Sequence, residues 1–469
     1  MSTFGGLNTA FSGLVAARKG LDVVGQNIAN ATTEGYTRQR ITTSAAGATA
    51  QTGMFSQGAR VGQGVSVDGI ARLGSAQLDL TVRTAAAASG YSAIRANSLA
   101  AMESSLKEPG ENGLSAQLSA FWTGWQDLAN NADESSPAAL LLERAGELTA
   151  QITEGYQAID SEWSAVRGSL TAMVSELNAA ATQVADLNVQ IRSATASGIS
   201  ANELLDRRSA LTTTMSALSG ATVREQQDGT VTVLVGGSAL VAGGTASALS
   251  ANGATRMAAG SAVSVSWAGS GKPVALQSGE IAGAVSLLTP ATTGGKGGAI
   301  AEAAAGYDAF ALDLATKVNA IYSPDGTKPF FSGDTASTLS VAVASASDVV
   351  AGDPSKGAFD GSIADAIAQL GAGAATDAAG PVISPSTMWS NFVTTLGVQT
   401  QSALQNAKLD GLTSNAAVGQ QLANSSVDMD EENVNLLMYQ TAYQGAARVM
   451  TAVDEMLDIL INRTGLVGR

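Results

Sequence analysis

The chain has 469 residues, a formal net charge of −15, and neither cysteine nor histidine. These two absences exclude disulfides, Ser-His-Asp and Cys-His nucleophiles, and His/Cys metal sites, so an enzyme would have to use carboxylates or lysine. The acidic balance disfavours nucleic acid as a partner, and no apolar run reaches the ~18 residues that predict membrane insertion. No basic residue precedes Arg18, so we also expect no cleaved signal peptide.

The charge is distributed unevenly along the chain. Residues 1–100 contain eight basic and four acidic residues, whereas residues 427–469 contain seven acidic and three basic ones. The two ends therefore have opposite signs. Because salt screens exposed charges, we expect this attraction to steer the ends together more than to hold them.

Both ends carry a seam of apolar residues spaced three and four apart, which is the a/d pattern of a coiled coil. The first seam is Leu7, Ala10, Leu14, Ala17, Leu21, Val24 and Ile28, and the second is Leu436, Tyr439, Tyr443, Ala446, Met450, Val453, Leu457 and Leu460. The termini should therefore pack together or into neighbouring copies. Gly13, Gly20 and Gly25 interrupt the first helix, each at about 1 kcal/mol relative to alanine. We expect the N-terminus to be disordered in a free monomer and to fold against a partner.

Residues 36–72 predict an extended loop with short strands. Periodicity then predicts helices at 75–107, 112–131, 148–191, 200–220, 281–288, 300–321, 386–424 and 430–464. The 148–191 seam would span about 65 Å, too long for a compact globule, so it predicts the core helix of a bundle. Ser200 and Glu203 match a capping box, and Gly220 should end that helix.

The middle of the chain changes character. Residues 222–227 and 230–235 are β-branched runs on either side of Asp228-Gly229, which predicts a hairpin. Further short strands are predicted at 263–267, 274–276 and 339–344, and the rest of 323–385 should consist of Gly/Ala-rich loops. The predicted division is 1–40 N-terminal assembly segment; 41–221, 286–322 and 386–426 helical rod domain; 222–285 β-rich outer domain; 323–385 outer domain or irregular insertion; and 427–469 C-terminal assembly segment.

Two motifs that could suggest chemistry have simpler explanations. A phosphate-binding loop at 269–272 would need glycine at 266 and a hydroxyl residue at 273, where the chain has Ser266 and Pro273. This stretch predicts a hairpin turn. The acidic group at 428–432 lacks the spacing of a calcium loop, while acids in the first turn of a helix favour its dipole. We therefore expect helix capping there, and no catalytic, cofactor or metal site.

Residues 26–38, QNIANATTEGYTR, resemble the N-terminal signature shared by bacterial flagellar rod, hook and junction proteins. Residues 427–457 are similar to the matching C-terminal signature. In the middle, 202–208 (NELLDRR), 226–231 (QQDGTV) and the elements Val318-Asn319, Gly326 and Phe330-Phe331 are similar to the hook-associated protein 1 family of axial proteins. The chain departs from that family at Glu34, where proline is frequent, and at Tyr322, where histidine is common.

The resemblance implies a mainly α protein with a β-containing outer domain: terminal coiled-coil helices, a long-helix bundle and an inserted β-rich head. It implies a structural adaptor, not an enzyme, that forms a homo-oligomeric ring between the flagellar hook and filament. Its partners would be hook protein, a second hook-associated protein, and an export chaperone at the C-terminal helix. It would leave the cytoplasm unfolded through the flagellar type III system and become part of the extracellular flagellum.

The residues expected at the assembly interface are Leu7, Leu14, Leu21, Val24, Asn27, Ile28, Asn30, Gly35, Tyr36, Leu436, Tyr439, Tyr443, Met450, Val453, Leu457 and Leu460. Two other functions stay open. One is another axial subunit, such as hook or rod protein, although the long helical seam argues against the β-rich shaft of hook protein. The other is a carboxylate-dependent exported surface hydrolase, which would need two carboxylates facing each other across a cleft.

Overall fold

A computed structural model describes residues 3–463 apart from 48–61, 258–261, 293–295, 374–375, 378–379 and 382. The helices are α1 Thr3–Ala29, α2 Ala76–Ser105, α3 Leu114–Asn130, α4 Ser135–Ala196, α5 Asn202–Ser219, α6 Glu280–Leu287, α7 Ala299–Tyr322, α8 Ser362–Gly371, α9 Pro385–Ser425 and α10 Met429–Asp458, the last continuing into a π-helical turn at Ile459–Arg463. The strands are β1 Gln39–Ala45, β2 Val65–Arg72, β3 Thr222–Glu225, β4 Val231–Val235, β5 Ser238–Ala242, β6 Thr245–Ala246, β7 Leu249–Asn252, β8 Ser264–Trp267, β9 Phe331–Ser332, β10 Ser340–Val341, β11 Thr376–Asp377 and β12 Gly380–Pro381. The predicted mainly α fold with a β-containing part is confirmed.

The long helix α4 is the element against which several other helices pack. Its 62 residues form one uninterrupted helix, about 93 Å long at the ordinary rise per residue. Leu148, Ile152, Leu170 and Leu177 are fully buried along it. The predicted 148–191 seam is therefore a core seam, packed against α3, α5, α6 and α7.

The β-rich part packs along the same helix, α4. Strands β3 to β6 form an antiparallel sheet in sequence order, and β7 pairs with β8. The predicted hairpin is present: Gly229 has the positive φ of its turn, and Thr230 donates two hydrogen bonds to Asp228. The inward side chains of β4 join the α4 residues in one continuous core. This sheet is thus anchored on the helices and does not have a separate core.

Several local expectations are wrong. Residues 274–276 form no strand, and the neighbouring Pro273 makes a single bridge to Ser266. The proposed capping box fails because the N-cap of α5 is Ala201, which makes no side-chain capping bond, although Gly220 does end the helix in the left-handed conformation.

Helix α8 lies in a stretch that we expected to be loops. Ala364, Ile367 and Leu370 are buried on one of its faces, which packs against α3. Gly371 lies against the ring of Trp122, where an added Cβ would clash. The apolar pattern of α8 covers only a few residues, and the sequence around it is rich in Gly and Ala. The pattern is therefore too short to predict a helix.

Candidate assembly interface

The two terminal helices, α1 and α10, form an antiparallel pair within one chain. Four contacts spaced seven residues apart on both helices set the register: Gly6 with Val453, Gly13 with Ala446, Gly20 with Tyr439, and Asn27 with Glu432. The predicted coiled-coil seams are therefore present. Of the two predicted arrangements, packing of the termini together or into neighbouring copies, the structure shows the first, because the partner of α1 is α10 of the same chain.

Two of the three glycines that interrupt α1, Gly13 and Gly20, lie at packing positions. An added Cβ at Gly20 would lie 2.5 Å from ring carbons of Tyr439, so the ring rests directly on the α1 backbone. Gly6 and Gly13 also face α10, at ordinary contact distance from it. Small residues at heptad spacing let the two helices approach closely, and this gain offsets their poor helix propensity.

Asn27 is the polar end of this pair. Its amide nitrogen donates to the Gln39 carbonyl oxygen at 2.9 Å and to Glu432 Oε2 at 3.1 Å. Its carbonyl oxygen accepts from the Tyr36 hydroxyl at 2.9 Å and from the Gln39 backbone N–H at 3.0 Å. Asn27 is only 1% exposed, and all four hydrogen-bonding positions are used. Asn27 thus has a role inside the chain, and its expected role as a subunit contact stays a prediction.

Arg38 completes the same cluster. Its Nε donates to Glu432 Oε1 at 2.8 Å, and a second guanidinium nitrogen pairs with Glu431. Its backbone N–H donates to the Ser425 carbonyl oxygen, at the end of α9. Burial alone would lower the pKa of Arg38, but the hydrogen bonds and charges of the two glutamates outweigh it and raise that pKa. The opposite charges of the two ends thus meet in a defined ion pair.

The acidic group at the start of α10 has two roles. Asp428 is the N-cap and accepts from the backbone N–H groups of Asp430 and Glu431, so the predicted helix capping is confirmed. Glu432, however, is 1% exposed and serves as the acceptor for Asn27 and Arg38. Sequence reasoning missed this second role because the partners lie about 400 residues apart.

The loop after α1 is held from a second side by α5. Asp206 accepts from the Thr37 backbone N–H at 3.1 Å and from Arg72 Nε. Tyr36 lies beside it, and burial, followed by the charges of Asp206, Glu203 and Glu432, raises the pKa of Tyr36 to about 12. The predicted interface residues Asn30, Gly35 and Tyr36 line a cavity of about 360 Å³ with these α5 side chains.

A groove runs between α1 and α10 on one side of the pair. Its volume is about 810 Å³, and four predicted interface residues line it: Leu7, Leu14, Tyr443 and Met450. Phe11 lies on the same wall with 55% of its surface exposed. The other predicted residues are distributed differently: Val24 and Val453 are buried in the pair, Leu21, Ile28, Leu436, Tyr439 and Leu457 are partly buried, and Leu460 is exposed in the π-helical turn.

Helix α10 also carries a second stripe that the sequence analysis missed. It consists of Val434, Met438, Thr441, Gly445, Val449, Ala452, Met456 and Ile459, and we call it the outer stripe. Its residues recur three and four apart, and its five large side chains are about half or more exposed. All eight are uncharged. The same spacing rule would have found this stripe had it been applied to every face of the helix.

Comparison with known proteins agrees with this architecture. Residues 99–328 match the flagellar hook-associated protein FlgK helical domain, residues 7–37 match the flagella basal body rod protein family, and residues 419–463 match the flagellar basal body rod FlgEFG protein C-terminal family. Flagellar hook-associated protein 1 of Bacillus subtilis is 28% identical over 509 residues, covering all of both chains. The chain is therefore similar to the flagellar hook-associated protein 1 family along its whole length. That family consists of structural flagellar proteins and not of enzymes.

Two further relatives agree with this similarity. Flagellar hook-associated protein 1 of Salmonella typhimurium is 32% identical over 248 residues, which are 52% of this chain and 44% of that protein. The solved flagellar hook junction protein FlgK from Burkholderia pseudomallei has a TM-score of 0.57 at 16% identity, covering 74% of this chain and all of that one. Within the described residues, no helix is long and apolar enough to cross a membrane, and no group of acidic side chains is arranged to hold a metal ion.

Proposed function

We propose that this chain is the adaptor subunit at the junction between the flagellar hook and filament, and that it polymerises through its terminal helices. The similarity to this family supports the junction role, since the related solved structure is described as a hook junction protein. The observation that carries the polymerisation mechanism is the paired α1 and α10, which leave two apolar surfaces uncovered. These surfaces are the groove around Phe11 and the outer stripe.

The two surfaces lie on opposite sides of α10. At about 100° per residue, the mean direction of the groove positions Tyr443, Ala447 and Met450 lies roughly half a turn around the helix from the mean direction of the eight stripe residues. A stripe on one copy can therefore enter the groove of the next copy, and that copy's stripe is then free for a third. Such a head-to-tail contact closes into a ring or continues as a helix.

This contact also accounts for the uncharged character of the stripe. Large exposed apolar patches on a protein surface mark interaction sites. The division of the chain into terminal assembly segments, a helical rod and an outer β-containing part follows from the same arrangement. In this proposal the groove and the outer stripe replace the buried seam as the subunit contacts.

The remaining parts of the proposal concern transport and neighbours. The subunit is exported unfolded by the flagellar type III system after a transient stay in the cytoplasm, and an export chaperone covers the C-terminal helix until then. In the flagellum, hook protein lies on one side of its ring and a second hook-associated protein on the other. The exposed side chains of the outer stripe support the chaperone, because they would otherwise invite aggregation before assembly.

The test is complementation of a strain that lacks this protein. Such a strain should build hooks but release unpolymerised flagellin into the medium, and the wild-type chain should restore filaments. Met438→Lys, in the outer stripe, should fail to restore them, whereas Gln440→Lys, exposed on the polar face of the same helix, should succeed. Full-length filaments in the deletion strain would refute the junction role, and restoration by Met438→Lys would refute the stripe contact alone.

A further inference from the structure

A small polar pocket, separate from the terminal helices, lies where α5, the start of α2 and the β3–β4 hairpin meet. Its volume is about 260 Å³, and three arginines from three different segments line it: Arg72 from β2, Arg83 from α2 and Arg208 from α5. Three guanidinium groups around one small cavity repel one another. Such an arrangement needs partners that neutralise them.

Two of the three arginines have hydrogen-bond partners within the chain, although only Arg72 has a carboxylate among them. Arg72 donates to Asp206, and Arg208 donates to Asn188 Oδ1 at 3.0 Å and to the Gly229 carbonyl oxygen at 2.7 Å. Burial, together with the neighbouring positive charges of Arg72 and Arg83, lowers the pKa of Arg208 to about 10 even though Glu225 opposes the shift.

Arg83 is different. It makes no hydrogen bond with any residue that the structure describes, and its Nε is buried without a partner. Its nearest counter-charge is Asp79, at 3.7 Å, beyond hydrogen-bonding distance. The side chain is only 12% exposed, so water reaches little of it. A buried donor without an acceptor destabilises the folded state, more so when the donor is charged, and no described residue accepts a hydrogen bond from this Nε.

The donors in the lining indicate what would satisfy Arg83. The carboxylates of Asp79, Asp206 and Glu225 equal the three arginines in number, but among the described residues none of them accepts a hydrogen bond from Arg83. Glu225 is exposed at the rim, and Ser209 adds a hydroxyl to the α5 wall. Guanidinium groups bind carboxylate and phosphate oxygens through paired hydrogen bonds. The cavity therefore matches a small anion with several acceptor oxygens.

We propose that this pocket binds a small inorganic oxyanion, such as phosphate or sulfate, with Arg83 as the principal donor and Arg208 as the second. The bound anion joins three segments that meet at this point: the first turns of α2, helix α5 and the β3–β4 hairpin. It thereby fastens the β-rich part to the helical rod. This site is independent of the proposed junction contacts, because no residue of the groove or of the outer stripe lines it.

Thermal unfolding of the full chain in chloride, sulfate and phosphate buffers of equal ionic strength and pH tests the proposal. A ligand that binds only the folded state raises the melting temperature with the logarithm of its concentration once this exceeds Kd. Wild-type protein should show such a rise. Arg83→Gln should lose it completely while keeping its melting temperature in chloride. A purely structural arginine would instead lower the melting temperature equally in every buffer.

The control variant is Arg18→Gln, which removes an exposed arginine on α1 and should keep the anion response. Sulfate and phosphate stabilise proteins generally by exclusion from the surface, so the relevant quantity is the difference between wild type and Arg83→Gln. If Arg83→Gln does not fold, Arg83→Lys is the alternative variant. It keeps the positive charge but lacks the paired N–H donors of a guanidinium, so the apparent Kd for the anion should rise at least tenfold. An equal anion response in wild type and Arg83 variants would overturn the proposal. A response seen only where sedimentation shows association would also overturn it, because a carboxylate of a second copy would then fill the pocket.

Discussion

The packing of Gly20 against Tyr439 gives a direct test of the paired terminal helices. Replacing a glycine in a helix with alanine normally stabilises it by about 1 kcal/mol. At Gly20 the new methyl group would lie 2.5 Å from ring carbons of Tyr439, and the ring can retreat only by leaving the contact between the helices. Overpacking of this kind costs about 1–3 kcal/mol. We therefore expect Gly20→Ala to be neutral or to destabilise the pair by up to about 2 kcal/mol.

Gly25 is the matched control on the same helix. An added Cβ there meets no described atom within 4 Å, so Gly25→Ala should stabilise α1 by about 1 kcal/mol. Gly13→Ala should lie between the two, because its Cβ would meet Ala446 at an ordinary contact distance of 3.9 Å. The stabilities of the variants at positions 20 and 25 should therefore differ by about 1–3 kcal/mol, with Gly25→Ala the more stable.

Native-state hydrogen exchange measures this difference. The terminal pair can open without unfolding the rest of the chain, so the protection of α1 amides reports its local stability better than a melting temperature does. Tyr439→Ala should abolish the penalty of Gly20→Ala, which gives a double-mutant coupling above about 0.5 kcal/mol. Equal effects of the alanine variants at positions 20 and 25 would show that α1 does not lie against α10 in this register.

Two further predictions concern the core and the polar cluster. Leu170→Ala should lower the free energy of unfolding by about 2–5 kcal/mol, measured by denaturant titration, because Leu170 is fully buried in α4. Leu14→Ala, in the open groove, should lower it much less, and similar losses would contradict the distinction between core and groove. Tyr36 has a pKa of about 12, raised by burial and then by nearby carboxylates, against 10.0 for the free side chain. Between pH 10 and 12 the unfolded chain therefore loses a proton that the folded chain keeps, so stability should fall as pH rises through this window. Tyr36→Phe should reduce that slope, and an unchanged slope would contradict the assigned pKa.

The sequence predicted the terminal helices well but not what they contact. A 3,4 spacing of apolar residues shows that a helix has a face to bury, and the same pattern arises whether the partner is another copy or the other end of the chain. The propensity cost of Gly20 was correct as a local estimate. It was misleading because close approach to Tyr439, a tertiary effect, outweighs it.

The polar parts of the site were harder to predict for another reason. Arg38 and Glu432 are 394 residues apart, and no local pattern links a guanidinium with one particular carboxylate at that distance. The signature around Asn27 pointed to an important site through family resemblance. It could not show that Asn27 is buried inside the chain, since burial depends on the loop that returns over it.

The polar cluster has a consequence for the register of the terminal helices. The contacts at Gly6, Gly13 and Gly20 recur every seven residues on both helices, so a shift of one heptad would again place glycines opposite apolar side chains. Among the four described contacts that set the register, the one between Asn27 and Glu432 is the contact that such a shift cannot reproduce. Buried polar pairs add little to stability but can fix the register of a coiled coil. We therefore expect this pair to select the register and contribute little to the stability of the helices.

Disulfide trapping tests this expectation cleanly, because the chain has no native cysteine. The Cβ positions of residues 13 and 446 are 3.9 Å apart, within reach of a disulfide, so Gly13→Cys with Ala446→Cys should crosslink readily. Gly13→Cys with Val453→Cys should crosslink only after a slip of one heptad. Adding Asn27→Leu and Glu432→Leu should shift crosslinking from the first pair toward the second, while circular dichroism shows unchanged helix content. If the Gly13→Cys and Ala446→Cys pair remained the only one to crosslink, the apolar contacts would be sufficient to set the register. The buried Asn27–Glu432 contact would then have to be explained by its link to Arg38 and to the loop that follows α1.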